Sequence, residues 1–182
     1  MKVLKLSLVS IASALVATLV GCSTTATKAP DVTDSIRRSL DSANLKDVSV
    51  SQDRDKGVVT LGGHVPADGD KVQAESIAKS MAGPEVISNQ IAVLPPGFEG
   101  DAKTINTDLD KAIEKNLDAA LIERGLQKGV KYTVKNGVVT LTGEVTSQDL
   151  RGQTQAVAAR VPNVQQVVNE LQVKNQKASS TN

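Results

Sequence analysis

Gly57-Val58-Val59-Thr60-Leu61-Gly62-Gly63-His64-Val65 recurs as Gly137-Val138-Val139-Thr140-Leu141-Thr142-Gly143-Glu144-Val145, at an offset of 80 in a chain of 182 residues. The same offset carries Ser88-Asn89-Gln90-Ile91-Ala92-Val93 onto Val168-Asn169-Glu170-Leu171-Gln172-Val173, Ile77-Ala78 onto Val157-Ala158, and Met81 onto Val161. Blocks that agree in order and spacing mark a duplicated unit. Upstream the register slips by a few residues. That slip places an insertion between the first helix and first strand of the second copy.

Each copy reads as helix, hairpin, helix, strand. The first helix runs from about Asp34 to Ser42, with Ile36 and Leu40 one turn apart. Its counterpart carries Leu109, Ile113, Leu117 and Leu121 at four-residue spacing, with Thr107 or Asp108 as N-cap. Asn136-Gly137 between β-branched runs is a strong hairpin signal, because both turn positions need positive φ. Asp55-Lys56-Gly57 stands at the equivalent place in copy one. Gly63 and Gly143 mark a tight bend or close backbone approach, and Gly62-Gly63 lacks the pattern of a phosphate cradle. The second helix carries Val72, Ile77, Ala78 and Met81 in copy one, and Leu150, Val157, Ala158 and Val161 in copy two. Pro84 and Pro162 stop these helices. Val86 to Val93 and Val164 to Val173 form the last strands.

The order α-β-β-α-β, with one apolar face per sheet, predicts an α+β chain of two tandem two-layer sandwiches. In each, a three-stranded mixed sheet is covered by two helices. The units span residues 31–93 and 107–173, with a linker at 94–106 that is stiff at Pro95-Pro96 and flexible after Gly97. The tail 174–182 is polar and expected to be disordered. Units of this size sit near the lower limit for an unstapled core, so an interface between them is expected to support both.

The Gly-Val-Val-x-Leu-x-Gly core and the Asn-x-Ile/Leu-x-Val final strand, in this element order, resemble the BON domain of bacterial OsmY and nodulation proteins. The resemblance covers both copies, with Gly-Gly-His at 62–64 a mild departure in the first. It implies a non-enzymatic envelope protein linked to osmotic or envelope stress, outer-membrane integrity and phospholipid contact. In dual-BON lipoproteins, lipid contact is attributed to the first helix of the second domain, here roughly Thr107 to Arg124. The candidate contacts there are Lys111, Lys115 and Ile122. Yet Lys111, Lys115 and Arg124 face Asp108, Asp110, Glu114, Asp118 and Glu123, a balance that an anionic bilayer repels.

The N-terminus carries a separate signal. Lys2 and Lys5 precede an uncharged run from Leu6 to Val20, too short to span a bilayer. It ends in Leu19-Val20-Gly21-Cys22, which resembles the lipobox of bacterial lipoproteins. Residues 1–21 are then a signal peptide, and Cys22, the only cysteine, is the lipidated N-terminus of the mature chain. Residues 22–30 form a flexible tether; from Cys22 to Asp31 it reaches at most about 30 Å. Ser23 follows the cysteine where enteric inner-membrane lipoproteins carry Asp. This favours the outer membrane, with the folded part facing the periplasm. In a bacterium with one membrane it means the outer face of the cytoplasmic membrane.

Composition narrows the function. The mature chain has 19 basic and 20 acidic residues, so it lacks the electrostatic footprint of a nucleic-acid binder. Phe98 and Tyr132 are the only aromatics, too few for stacking platforms. His64 is the only histidine and has no cysteine partner, which gives no support to a metal site or a Ser-His-Asp hydrolase. Asp53 and Asp55, and Asp68 and Asp70, read as turn formers and caps rather than an acid–base pair. No cofactor motif is present. The expected partners are the membrane, through N-terminal acyl chains, and phospholipid or an envelope protein. The alternative is a periplasmic module holding a small solute or peptidoglycan fragment between the two domains. A chaperone would need a broad exposed apolar patch.

Overall fold

The computed structural model describes residues 28–174. Cys22 and its lipobox Leu19, Val20 and Gly21 lie outside the described residues, as does the tail from 175 on.

The first unit runs α1 (Thr33–Ser42), β1 (Val48–Asp53), β2 (Val58–Val65), α2 (Asp68–Ala82), β3 (Val86–Asn89) and β4 (Ala92–Val93). The second runs α3 (Glu99–Glu123), β5 (Val130–Lys135), β6 (Val138–Val145), α4 (Gln148–Ala158), β7 (Gln166–Asn169) and β8 (Gln172–Val173). In each sheet the long second strand is central, antiparallel to the first and parallel to the last. The last strand is interrupted rather than continuous. β4 pairs β2 on the register that β3 set, since Val58 faces Val86 and Val65 faces Val93. Residues 90–91 only break the ladder, so the sheet keeps three positions and mixed sense.

Alternation along the strands fixes the core. Val59, Leu61 and Val65 point at the helices and bury with Ile36 and Leu40 of α1. Val139, Leu141 and Val145 do the same with Ile113, Leu117 and Leu121 of α3. α2 meets expectation in part. Ala78 is buried and Ile77 packs partly on the core, but Ala74 and Ala82 complete the buried face, whereas Val72 is 67% exposed and Met81 lies outward. Small residues let α2 lie close to α1 and the sheet, and the longer apolar side chains are left on the flank.

The hairpins confirm the glycine signals. Asn136 (φ 48°) and Gly137 (φ 77°) form the two-residue turn between β5 and β6. The first unit uses four residues there, Arg54 to Gly57, and Asp53 Oδ1 accepts the Asp55 and Lys56 N–H groups. The register slip between the copies therefore has two parts: a shorter hairpin turn in copy two, and one added residue between its first helix and first strand. Gly63 and Gly143 have φ of 83° and 109°. A Cβ on either would overlap the carbonyl oxygen of Asp47 or Gly129, the residue just before the neighbouring strand.

Two boundaries move. α3 begins at Glu99, eight residues before the expected start of the unit, so much of the 94–106 linker is helical. Neither Thr107 nor Asp108 is an N-cap: both lie inside α3, where the Thr107 hydroxyl donates to Lys103 O at 2.9 Å. Part of the tether is docked. Ala29 N–H donates to Arg54 O (3.0 Å), Gln52 Nε2 donates to Pro30 O (2.7 Å), and Lys28 pairs with Asp55 (3.2 Å). These bonds lie at the turn end of β1.

The units dock through their β3 and β7 edges in antiparallel sense. Gln166 acts as a substitute strand residue, its Nε2 donating to Ile87 O (2.6 Å) and its Oε1 accepting Asn89 N–H (3.1 Å). Val58, Val138 and Val168 close over one another on the helix-free faces. Each turn reaches the other unit's strand break: Lys56 Nζ pairs with Glu170 (2.5 Å), and Asn136 Nδ2 donates to Gln90 O (2.7 Å). Lys56 and Asn136 are equivalent under the offset of 80, as are Gln90 and Glu170. The two halves are thus related by an approximate two-fold.

Candidate functional site

The two-fold generates two clefts, each between one unit's second helix and the other unit's turn. The first, of about 450 Å³, is lined by Asp68, Lys71 and Glu75 of α2, Asn89 and Ile91 at the strand break, and Asn136 and Gln165 of the second unit. The second, of about 290 Å³, is lined by the equivalents of several of these, among them Arg151, Asn169, Leu171 and Lys56.

The recurrent asparagine of the final-strand motif has a structural task. Asn89 Oδ1 accepts Ile91 N–H, and its amide donates to Lys71 O (3.4 Å) and Glu75 Oε2 (2.8 Å). It ties the ladder break to the helix above it. Asn169 repeats each bond, to Leu171 N–H, Arg151 O (3.2 Å) and Gln155 Oε1 (3.0 Å).

Electrostatics differ between the clefts. Burial pushes the Lys71 ammonium below the usual lysine value, against the pull of Asp68, Glu75 and Asp110. Burial pushes the Glu75 carboxyl up, but the Asn89 amide and the Lys79 and Lys71 ammonium groups outweigh it and hold the group below the usual carboxylate value. A carboxylate depressed in the fold stabilises the protein above its unfolded pKa, and that contribution is lost as pH falls through the folded value. Acid should therefore loosen the first strand break and spare the second, where Gln155 does not titrate. In an NMR pH titration the Asn89 side-chain amide is expected to move with a midpoint below the usual carboxylate range, while that of Asn169 stays fixed. Parallel movement of both would place the cause elsewhere.

The residues expected from the sequence fall elsewhere. Lys111, Lys115 and Ile122 share one exposed stripe of α3, with Ile122 55% exposed and Lys111 3.5 Å from Asp108. The fold brings none of them into either cleft. Asp110, on another face, accepts the Asn136 and Gly137 N–H groups and holds the β5–β6 turn against α3. Phe98 at the N-cap and Ile105 and Leu109 within the same helix are exposed, so Leu109 does not join Ile113, Leu117 and Leu121 on the buried face as expected. Among the described residues no group of three or more His, Cys, Asp and Glu is placed to hold a metal, and no helix is long and apolar enough to cross a membrane.

Two α-β-β-α-β sandwiches docked edge to edge define a duplicated two-layer α+β protein. The BON domain profile matches it twice, over residues 28–95 and 105–175. The chain belongs to the BON domain family and carries two copies of that domain. It is 28% identical over 141 residues to Osmotically-inducible protein Y of Escherichia coli (strain K12), covering 74% of this chain and 67% of that one. Among solved structures it matches two of CdsD, a structural protein of the type III secretion system of Chlamydia trachomatis. The C-terminal domain of CdsD superposes with TM-score 0.32 and 12% identity, over 77% of this chain and 66% of the other. The second has TM-score 0.33 and 15% identity, over 79% and 92%. Superposition at that level adds nothing to fold or function.

Proposed function

We propose that this is a lipid-anchored, non-enzymatic protein of the bacterial envelope that supports osmotic or envelope-stress tolerance. The observation that carries this reading is the similarity to Osmotically-inducible protein Y over 141 residues. The lipobox-like Leu19-Val20-Gly21-Cys22 supports the anchor, and Ser23 supports the outer membrane with the folded part in the periplasm. Several acyl chains on Cys22 hold the membrane; the exposed stripe of Lys111, Lys115 and Ile122 is the candidate contact for an envelope protein, with phospholipid the alternative that flotation decides.

Two measurements test it. Labelled palmitate is expected on the full chain and not on Cys22→Ala, which should leave the membrane fraction. Unchanged fractionation of that variant would remove the anchor from the proposal. The chain from residue 23 on, which retains every described residue, is expected not to float with neutral or anionic vesicles, because α3 is net acidic. Flotation that needs anionic lipid and is lost in Lys111→Glu/Lys115→Glu would instead make the stripe a membrane contact.

A second reading, a module holding a small solute or peptidoglycan fragment between the domains, is favoured by one observation. The cleft of about 450 Å³ falls within the size range of small-molecule sites.

A further inference from the structure

The duplication supplies an internal control for the first cleft. In the second cleft, the smaller of the two, Arg151 caps the strand break with its own guanidinium. Its Nε donates to Leu171 O (2.9 Å) and its Nη2 to Asn169 O (3.0 Å), the two outward carbonyls of the strand break. The first cleft has the same break, the same asparagine and the same helix, yet the equivalent residue is Lys71. Lys71 bonds neither Asn89 O nor Ile91 O; its ammonium lies against Gln165 Oε1 at 3.3 Å. Two carbonyls that the twin pairs with a planar cation therefore face an open cavity.

The charges around that cavity changed in the same direction. Asp68 and Glu75 on α2 stand where α4 has Gln148 and Gln155. Over the whole lining, the first cleft carries Asp68 and Glu75 against Lys71, with Glu75 also paired to Lys79 at 2.5 Å, whereas its twin balances Asp55 and Glu170 against Lys56 and Arg151. The wall also offers the Asn106 and Asn136 amides and the apolar Val72, Ile91 and Val93.

We propose that the first cleft binds a guanidinium or primary-ammonium group, which takes the place of the Arg151 guanidinium on the Asn89 and Ile91 carbonyls with Asp68 as its counter-charge, Glu75 being held by Lys79 and Asn89. Such a group brings several N–H donors and a positive charge, and charge-assisted bonds of this kind are the stronger ones. The proposal rests on the second reading above and narrows its ligand to one chemistry.

The test is an amide-resolved NMR titration of the chain from residue 23 on with agmatine. Tetramethylammonium serves as a cation without N–H donors, and urea as a neutral donor. Agmatine is expected to shift the Asn89, Ile91 and Asn136 amides saturably, with little effect at Asn169 and Leu171, and neither control should do so. Lys71→Arg should plug the cleft from within, shifting the same amides without ligand and weakening agmatine by about tenfold or more. Its own spectrum shows that it folds. An acetylated Gly-Arg-Gly amide distinguishes the source: tighter binding than agmatine makes the group a protein side chain, and weaker binding makes it a free solute. Equal shifts with tetramethylammonium, or unchanged agmatine binding by Lys71→Arg, would overturn the proposal. A neutral solute that moves these amides where agmatine does not would overturn it too, but leave the cleft reading standing.

Discussion

Gly143→Ala is expected to lower the stability of the second domain by about 2–4 kcal/mol, a large share of what a unit this small holds. Two costs coincide. An alanine at φ 109° is strained, and its Cβ would overlap the Gly129 carbonyl just before the paired strand. Neither can relax cheaply, because the obstacle is backbone and because Glu144 N–H bonds that same carbonyl at 2.9 Å. In a thermal melt the loss should read as about 5–15 °C. Gly152 is the control: it lies within α4, with nothing within 4 Å of a built Cβ. Gly152→Ala should leave stability unchanged or raise it by about 0.5–1 kcal/mol. If Gly143→Ala melted with the parent protein, β5 and β6 would not approach as closely as described.

The second large effect is on the coupling of the domains. Val168 is buried against Val58 and Val138, but on the face of its sheet that carries no helices. In a separated second domain that face would meet water. Val168→Asp therefore costs little within the domain and about 3 kcal/mol or more in the docked pair, where a carboxylate would be enclosed by valines. Calorimetry should show the parent melting as one unit and the variant as two transitions, with an increase in radius of gyration by small-angle scattering. A single transition at the parent temperature would mean that the edges do not dock in solution.

The sheet was legible because its evidence is local and has a period of two. Val59, Leu61 and Val65 alternate with polar neighbours, Asn136-Gly137 declares its own turn, and repetition confirmed both. α2 was legible in part: Ile77 and Ala78 face the core, but hydropathy also favours Val72 and Met81 over Ala74 and Ala82, whereas close helix packing favours the alanines. The start of α3 was missed because residues 99–106 have no apolar period. What marks the first turn is Glu99 and Asp101, suited to the positive end of the helix dipole. The cleft had no local signature. Gln166 meets Ile87 and Asn89 across 79 and 77 residues, contacts that exist only once the edges dock. The exchange of Lys71 for Arg151 was printed in the repeat, but its meaning depends on two carbonyls that only the interrupted strand exposes.

The approximate two-fold has a consequence for more than one molecule. Because Lys56 reaches Glu170 as Asn136 reaches Gln90, each half offers the kind of surface it accepts. Only a short segment, Leu94 to Phe98, decides whether a half closes on its sibling or on the matching half of a neighbouring chain. In a dilute monomer the sibling wins by effective concentration. In chains crowded side by side, any event that opens the pair allows two molecules to exchange halves and reclose as a reciprocal dimer. Such a dimer would bury Val58, Val138 and Val168 twice and require no new contact.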